Sequence, residues 1–588
     1  MKRIVSLLLC LCMTVLLLPT LADTTVAGVG AGKNGEGSIE VSVAVDEAGK
    51  ITDVQVTKNG DDAGISDPAV NQLPGAIVAA NSIAVDTVAG ATLTSKGILA
   101  AVADALTNAG LDPANYQAAA EVVAVEKAAQ EQSTDVLIIG AGIAGYTAAL
   151  SAKEAGADVI LIDKMAAVGG TTNLAGGILV CIDSELFKDN RLESDSLDSV
   201  LAYWKAHMAV SGIESGYPDY DRLSSVLADT GKTVDWLVAN NVAFDAAPYA
   251  ASATYPMALA NGGGAGLIQM LAKQAEAVGI TLITESKGTE LITDEAGAVV
   301  GAKAETADAE ITFTAKSVVL ATGGISQNEE LVEKYSSKLH RAGLVPTSAV
   351  SHTGDGFLMA LAVGAGTFDV FSTPLFGTTF DPALADSTGL AIYAQLGVNA
   401  NGVRFANEAA SAGWDVMDYT ASDMIQDGNA PFWYVFDSSD EAVAATLEKG
   451  VAQGVVAKGE TAEELALNMH VYTANLVASL EAYNAAAAAG EDAEFGKPAM
   501  FLKALDQAPY YAVKVYPTTF GSAGGVTTTE EGRVTRQDGT VIPGLYAAGE
   551  MSNRYFYNEN YILAASLGLY STMGRRTGAA AAADALAK

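Results

Sequence analysis

One stretch constrains this chain more than any other: TDVLIIGAGIAGYTAALSAKEAGADVILIDK, residues 134–164. A continuous apolar run leads into Gly140-x-Gly142-x-x-Gly145, a helical pattern follows, and a second apolar run ends at Asp163. Strand, glycine turn, helix, strand and terminal acid in that order form the βαβ unit of a Rossmann-type, dinucleotide-binding domain. Gly140 permits the tight turn, Gly142 lets backbone N–H groups approach a pyrophosphate, and Gly145 lets helix and strand pack closely. The helix N-terminus faces the negative charge, and Asp163 is placed to accept from a ribose hydroxyl. Alone, the glycine pattern would mean only a tight structural turn; the flanking elements make it a nucleotide site.

A chain of 588 residues, 50% hydrophobic with 59 glycines and 15 prolines, has room for two to four α/β domains with large buried cores. With 33 Lys and Arg against 69 Asp and Glu, its formal net charge of −36 repels phosphates, which excludes nucleic acid and an anionic membrane surface as partners. The opening residues, MKRIVSLLLCLCMTVLLLPTLAD, run from basic to apolar to small. That order describes a secretory signal peptide, residues 1–22, cleaved after Ala22, and the apolar run is short for a retained membrane anchor. An extracytoplasmic protein is expected. Cys10 and Cys12 would leave with the signal, so Cys181 alone remains. No internal disulfide and no C-x-x-C-H haem attachment follow, and His207, His340, His352 and His470 show no metal-ligand spacing, so no metal is expected. For all four histidines a surface or capping role is expected.

After the signal, GSIEVSVAVDEAGKITDVQVTKNG alternates apolar and polar residues across a turn, which predicts a β-hairpin. A helix is expected from about Leu73 and another over KGILAAVADALTNAG, ending at Gly110. Together they predict a small α+β domain over residues 23–112. The Ala/Glu/Gln-rich residues 113–133 read as a linker. Between the hairpin domain's two helices lies DTVAGATLTS, Asp86 to Ser95. Thr94 and Ser95 are good residue types for capping the helix that follows.

Further Gly-rich loops select FAD over a nicotinamide. GGTTNLAGG spans Gly169 to Gly177, SVVLATGG ends at Gly324, and IPGLYAAGE ends at Glu550. Together with GAGIAGYTAAL, TGDGFLMALAVGAG, NANGVRFANE and LEAYNAAAAAGEDAEFGK, in that family's order, they make the chain resemble exported flavin reductases related to fumarate reductase, urocanate reductase and the succinate dehydrogenase flavoprotein. The resemblance implies an α/β fold: a small α+β FMN-binding domain, then a Rossmann-type FAD-binding domain over residues 134–370 and 516–588, interrupted by an α+β clamp domain over residues 371–515. It assigns FAD to Gly140, Gly142, Ala144, Gly145, Asp163, Gly170, Thr171, Thr172, Gly176, Gly177, Asp355, Glu550, Ser566 and Leu567. His352 precedes the TGDG that carries Asp355, which offers it a place near the flavin as the alternative to a surface or capping role. In the family's FMN motif, Asp86, Gly90, Ala91, Thr92 and Thr94 fit, which makes Thr94 the residue joined to FMN through a phosphodiester by a flavin transferase. Ala89 departs from the usual Ser or Thr.

The substrate positions fit less well. The segment Arg404-Phe405-Ala406-Asn407-Glu408 is present, but the family's proton-donating Arg corresponds to Ala412, its two substrate His residues to Gly521 and Thr373, and its substrate Arg falls near Asn560 or Tyr561. Losing two bidentate guanidinium groups removes the charge-assisted grip on a dicarboxylate, so fumarate is not the expected substrate. GEMSNRYFYNENYILAASLG, Gly549 to Gly568, supplies Arg554, Tyr555, Tyr557 and Tyr561 instead. Either these side chains pack a domain interface, with Arg554 paired to a carboxylate, or Tyr557 or Tyr561 supplies a proton while Arg554 holds one carboxylate or lowers a phenol pKa. Tyr419 is a further proton-donor candidate.

The resemblance implies a reductase that moves hydride from FAD to an activated C=C bond of a small enoate or enone. Electrons would come from a membrane or extracellular donor through FMN, in anaerobic respiration. A dehydrogenase of the ketosteroid type and a non-catalytic electron carrier are the alternatives.

Overall fold

In the computed structural model the chain folds as two compact units that part between Val123 and Ala124. It describes residues 24–588 except 62–65, 89–90, 118–126, 210–215, 249–254, 341–344, 373–374, 382–383, 385–389, 391–395, 410–431, 559–560 and 563. The expected signal segment therefore lies outside the described residues, as do Tyr419, Ala412, Thr373 and Asn560.

In the first unit, the expected hairpin is β2 (Gly35–Val45) and β3 (Ile51–Asn59), with Ile39, Val41 and Val43 turned into the core as alternation requires. A further strand, β1 (Thr24–Gly32), completes an antiparallel sheet in the order β1-β2-β3. Its Gly/Ala-rich sequence carries weak strand character for a steric reason. A Cβ on Gly28 would lie 2.0 Å from the Ala101 carbonyl oxygen, and one on Gly30 would lie 2.1 Å from that of Gly97. The glycines let α2 (Thr92–Asn108) lie close on the sheet. The other helix, α1 (Asp67–Ala80), starts six residues before the expected Leu73. Pro68 stands in its first turn, where a missing N–H is not needed.

The second unit is built on a parallel sheet. From one edge it runs Val541–Ala547, Ala309–Leu320, β4 (Ala128–Ile139), β5 (Val159–Ile162) and Thr281–Ile283, and the short strand Arg533–Thr535 adds antiparallel to Val541–Ala547. β4 begins within the stretch read as linker from sequence. Its first residues, Ala128 to Glu131, are exposed, so no apolar alternation betrays them, yet they pair in register with Ala309 to Thr312. The strand's inner half, Val136 to Ile139, is buried, as a parallel strand covered on both faces should be.

Helix α3 (Ile143–Glu154) covers one face and is itself covered by the last helix, Ser566–Leu586. The two backbones meet through small residues. A Cβ on Gly574 would stand 2.3 Å from the Ala144 carbonyl oxygen, and one on Gly578 would stand 2.1 Å from that of Ala148.

Between the two parts of this fold a second sheet gathers around the strand Tyr510–Thr519, which pairs with Leu375–Phe380, Phe432–Phe436 and Val456–Gly459; Leu396–Val398 adds beyond Phe432–Phe436. Helices Glu441–Gln453, Ala462–Met469 and Thr473–Ala489 complete this α+β region. The NANGVRFANE and EDAEFGK motifs meet here in a buried ion cluster. Arg404 Nε lies 2.9 Å from Glu408 Oε1 and its Nη2 2.7 Å from Asp492 Oδ2, while Lys497 Nζ lies 3.2 Å from Glu408 Oε2.

Candidate functional site

The glycine turn after β4 opens onto a long cleft with about 1830 Å³ of empty space, part of it open to solvent. Gly140 stands at φ +107, and a Cβ there would meet the Ala321 carbonyl oxygen at 2.3 Å, so the turn lies hard against the end of Ala309–Leu320. A Cβ on Gly145 would fall 1.8 Å from the Gly140 carbonyl oxygen, so only glycine lets α3 begin so close to the strand. Gly177 likewise packs against Gly263. Gly142 and Gly170 are different. Both line the cleft, and a Cβ on either would meet nothing nearer than 3.7 Å. They keep the cleft clear at the N-terminus of α3, where backbone N–H groups favour a pyrophosphate.

Asp163, at the end of β5, organises this turn. Its Oδ2 accepts from Ala141 N at 2.7 Å and its Oδ1 from Met165 N at 2.8 Å. Burial pushes its carboxyl above the ordinary carboxylate range against the lowering effect of those two N–H groups. Ala144, Thr171, Thr172, Gly176, Ser566 and Leu567 line the same cleft. Asp355 does too, bound by Lys164 and, at 3.5 Å, by Lys287. Despite burial, Lys164 holds the Asp355 carboxyl below its usual range. A deep cleft with an open phosphate cradle at one end and a half-buried ribose-side acid fits FAD.

The other end is aromatic. Tyr557, Tyr561 and Tyr570 line it together with Phe520. Tyr557 and Tyr561 stack with ring centroids 5.6 Å apart. The Tyr557 hydroxyl bonds Ser566 Oγ at 2.7 Å, and the Tyr570 hydroxyl accepts from Asn553 Nδ2 at 2.7 Å. Burial drives the Tyr557 and Tyr570 phenols well above their ordinary pKa, so both hold their protons at neutral pH. The carrier loop is pinned from behind, where Trp204 Nε1 donates to the Phe556 carbonyl and Asn558 Nδ2 to that of Met208.

Arg554 is not among the residues that line the cleft. It is buried, donates from Nη1 to the carbonyls of Tyr557 at 3.0 Å and Asn558 at 3.1 Å, and lies over the Tyr217 ring. The geometry gives it the role of fixing the tyrosine loop. His352 does not take the surface or capping role expected of it, and stands instead in the cleft, in line with its place just before the TGDG that carries Asp355. It is 5% exposed, lines the cleft, and sits with Nε2 3.0 Å from Thr171 Oγ1 and Nδ1 3.5 Å from Glu550 Oε2. Tyr570, Asn553 and Ser522 were not expected either. Only the Gly-bearing strand ends that pack against them hinted at a site there.

In the first unit, neither Thr94 nor Ser95 caps α2. The cap position is Ala91, with no side-chain cap bond. Ser95 Oγ donates to the Ala91 carbonyl and accepts from Val88 N. Thr94 is buried in the first turn and donates to Asp61 Oδ2 at 2.7 Å, with Thr92 half-buried two residues earlier. A hydroxyl on the first turn of a helix that no side chain caps fits a phosphate-bearing flavin, because the N–H groups there favour negative charge.

Among the described residues no group of three or more His, Cys, Asp or Glu could hold a metal ion, and no helix is long and apolar enough to cross a membrane.

This layout defines a two-flavin oxidoreductase, with one domain for FMN and one for FAD. The family model of an FAD binding domain matches residues 135–561, and that of an FMN-binding domain matches residues 32–107. The chain is 30% identical over 579 residues to the urocanate reductase of Eggerthella lenta, across 95% of this chain and 92% of that protein. It is 28% identical to the NADH:acrylate oxidoreductase of Vibrio harveyi, across 89% of this chain and 58% of that protein. Among solved structures it resembles the open conformation of a flavocytochrome c3 fumarate reductase, with a TM-score of 0.61 and 27% identity over 77% of this chain and 79% of that one. It also resembles the 3-ketosteroid-Δ4-(5α)-dehydrogenase of Rhodococcus jostii, with a TM-score of 0.56 and 26% identity over 79% of this chain and 98% of that one. The chain belongs to this family, FAD-dependent oxidoreductases that act on CH–CH bonds and carry an FMN-binding domain that, in the family, is covalently flavinylated.

Proposed function

We propose that this protein is an exported reductase that saturates an activated C=C bond of a small monocarboxylate enoate, aromatic enoate or enone, and not of fumarate. The observation that carries the substrate class is the charge of the cleft. Among the described residues lining it, the Lys and Arg side chains are Lys164 and Lys287, and both are paired with Asp355. Gly521, at a position where the family has a substrate histidine, lines the cleft without a side chain. A dicarboxylate would find no bidentate cation on these walls, whereas the tyrosine end suits an aromatic or singly charged acceptor.

Bound FAD supplies the hydride. The chain's own part is to orient the acceptor and provide a proton. Tyr561, half-buried in the cleft wall and stacked on Tyr557, is the proton donor we favour, with Tyr557 behind it and bonded to Ser566. The carbon next to the hydride-accepting one is enolate-like after hydride addition and basic enough to take a phenolic proton. Arg554 positions this loop. Thr94 would hold the FMN that supplies electron transfer from a membrane or extracellular donor, in anaerobic respiration, and the basic-apolar-small order of residues 1–22 supports export.

The test is to reduce the flavins chemically and follow their reoxidation by a panel of enoates and enones beside fumarate. Fumarate reoxidising faster than every monocarboxylate would overturn the reading. The likeness to the ketosteroid dehydrogenase favours one second reading, dehydrogenation toward an acceptor. Dye-linked oxidation of saturated ketones, without enoate reduction, would select it.

A further inference from the structure

We propose, on the reading that Thr94 carries FMN, that Asp61 is the proton acceptor that activates Thr94 when the flavin is attached. This chain would then supply part of the chemistry of its own modification. Thr94 Oγ1 donates to Asp61 Oδ2 at 2.7 Å, and both residues are buried. Ser95, the next residue, gives its hydroxyl proton to the neutral carbonyl of Ala91. A hydroxyl bonded to a carboxylate is the stronger nucleophile, because the charge-assisted bond draws its proton toward the acceptor. That difference selects Thr94 over Ser95.

Backbone amides hold Asp61 in place. Its Oδ2 also accepts from Lys33 N at 2.9 Å, its Oδ1 accepts from Asn34 N at 3.0 Å, and its own N–H donates to Asn59 Oδ1 at 3.2 Å. A Cβ on Gly32 would meet Asp61 Oδ2 at 2.3 Å, so the glycine that ends β1 makes the room in which the carboxylate reaches α2. An Asp that only closed the Lys33–Asn34 turn would be satisfied by those two amides. The further bond, to a buried hydroxyl on a different element, is one the turn does not require. Burial tends to raise the carboxyl, yet the bonds from Thr94, Lys33, Asn34 and Ser38 hold it below its usual range, so it is ionised and able to take a proton.

The step balances with a flavin transferase and FAD as the only other participants. FAD is FMN joined to AMP through a phosphoanhydride. Attack of Thr94 Oγ1 on the FMN phosphorus forms the ester bond to Thr94, breaks the anhydride P–O bond and releases AMP. The Thr94 proton passes to Asp61, and nothing is oxidised or reduced. The N–H groups at the start of α2, which no side chain caps, favour the phosphoryl charge as the ester forms. Protein kinases set an Asp against the acceptor hydroxyl in the same relation. There the carboxylate belongs to the enzyme; here it belongs to the protein being modified. Leu93, beside Thr94, is exposed, so this turn lies at the surface, where a transferase can reach it.

The test takes the full chain made without a flavin transferase and mixes it with purified transferase and FAD. Attachment is timed by intact mass and localised to Thr94 by peptide fragmentation. Asp61→Asn, which keeps the shape and loses the base, should lower the attachment rate by about a hundredfold or more. In Asp61→Ala, formate should raise the rate by about tenfold or more and chloride at the same concentration should not, because formate returns a carboxylate without restoring any contact of the fold. Hydrogen exchange of peptides from β3 and α2 shows whether each variant keeps its fold, and should one lose protection the other decides. Asp61→Asn modified within about threefold of the wild-type rate would overturn the proposal. So would a folded, slow Asp61→Ala protein that formate does not accelerate, or loss of protection in both variants, which would make Asp61 a structural residue. Wild-type chain that gains no FMN at Thr94 would instead strike the reading that Thr94 carries it.

Discussion

Replacing Lys497 by Met should destabilise the region around Tyr510–Thr519 by about 3–5 kcal/mol, the cost of leaving a buried charge unpaired. The upper part of that range applies here. The Lys497 side chain is 0% exposed, Glu408 and Asp492 are each 2% exposed, and Arg404 is 6% exposed, so water screens none of them. Two positive and two negative charges balance in wild type, and the substitution leaves Glu408 and Asp492 sharing Arg404 alone. Glu408→Gln with Lys497→Met restores the balance. Gln keeps an acceptor for Gly397 N, which donates to Glu408 Oε1 at 3.0 Å. The double variant should therefore recover at least 1 kcal/mol against the sum of the single losses. Hydrogen exchange of peptides from residues 432–519 reads the local opening free energy directly, independent of the rest of the chain. A loss under about 1 kcal/mol for Lys497→Met, or strictly additive effects in the cycle, would refute the idea that these four charges act as one unit.

Other outcomes follow from the same structure. Tyr561→Phe should lower enoate reduction by about a hundredfold or more while leaving bound FAD unchanged, measured by turnover and flavin absorbance. Gly145→Val, whose side chain would run into the Gly140 carbonyl, should yield protein without FAD but with FMN still attached, read by flavin released on denaturation. Thr94→Ala, co-expressed with a flavin transferase, should lack the mass of one FMN, whereas Thr92→Ala should keep it. Burial tends to raise the Asp492 carboxyl, but Arg404 and the N–H groups of Lys497 and Phe495 more than offset this and hold it below its usual value. A depressed folded pKa gives stability that is present above the unfolded value of about 3.9 and is lost as pH falls through the folded one. The clamp region should accordingly open on acidification below about pH 4, and Asp492→Asn should be less stable than wild type at neutral pH with a flatter acid limb, followed by hydrogen exchange.

The nucleotide end of the cleft was legible because its chemistry is written in consecutive residues. Gly140, Gly142, Gly145 and Asp163 each answer a local steric or hydrogen-bonding demand, and such demands leave fixed spacing. The hairpin of β2 and β3 was legible through alternation, whereas β1 was not, because its glycines serve the approach of α2 rather than strand propensity. The outer half of β4 was hidden for a related reason. It is exposed on its way into the sheet, and only the partner strand Ala309–Leu320 defines it. His352 shows the limit most clearly. The TGDG that follows it, with Asp355, hinted at the flavin, but its burial and partners come from Thr171, Gly323 and Glu550, segments far apart in the chain. Arg554 shows the converse: a charged residue in a tyrosine-rich loop invites a catalytic reading, yet its Nη1 donates to backbone carbonyls three and four residues away.

The helix Ser566–Leu586 carries a consequence for the order of assembly. Its first residues form part of the cleft wall, its glycines seat α3 behind the phosphate cradle, and Asp584 in its last turn bonds Tyr546 and Arg533 at the sheet edge. All of this is translated after every other part of the FAD site. The nascent chain thus lacks a wall of its cofactor pocket until these residues emerge, so FAD capture falls late in biogenesis, whereas α2 with Thr94 can close on its sheet while more than four hundred residues are still to be made.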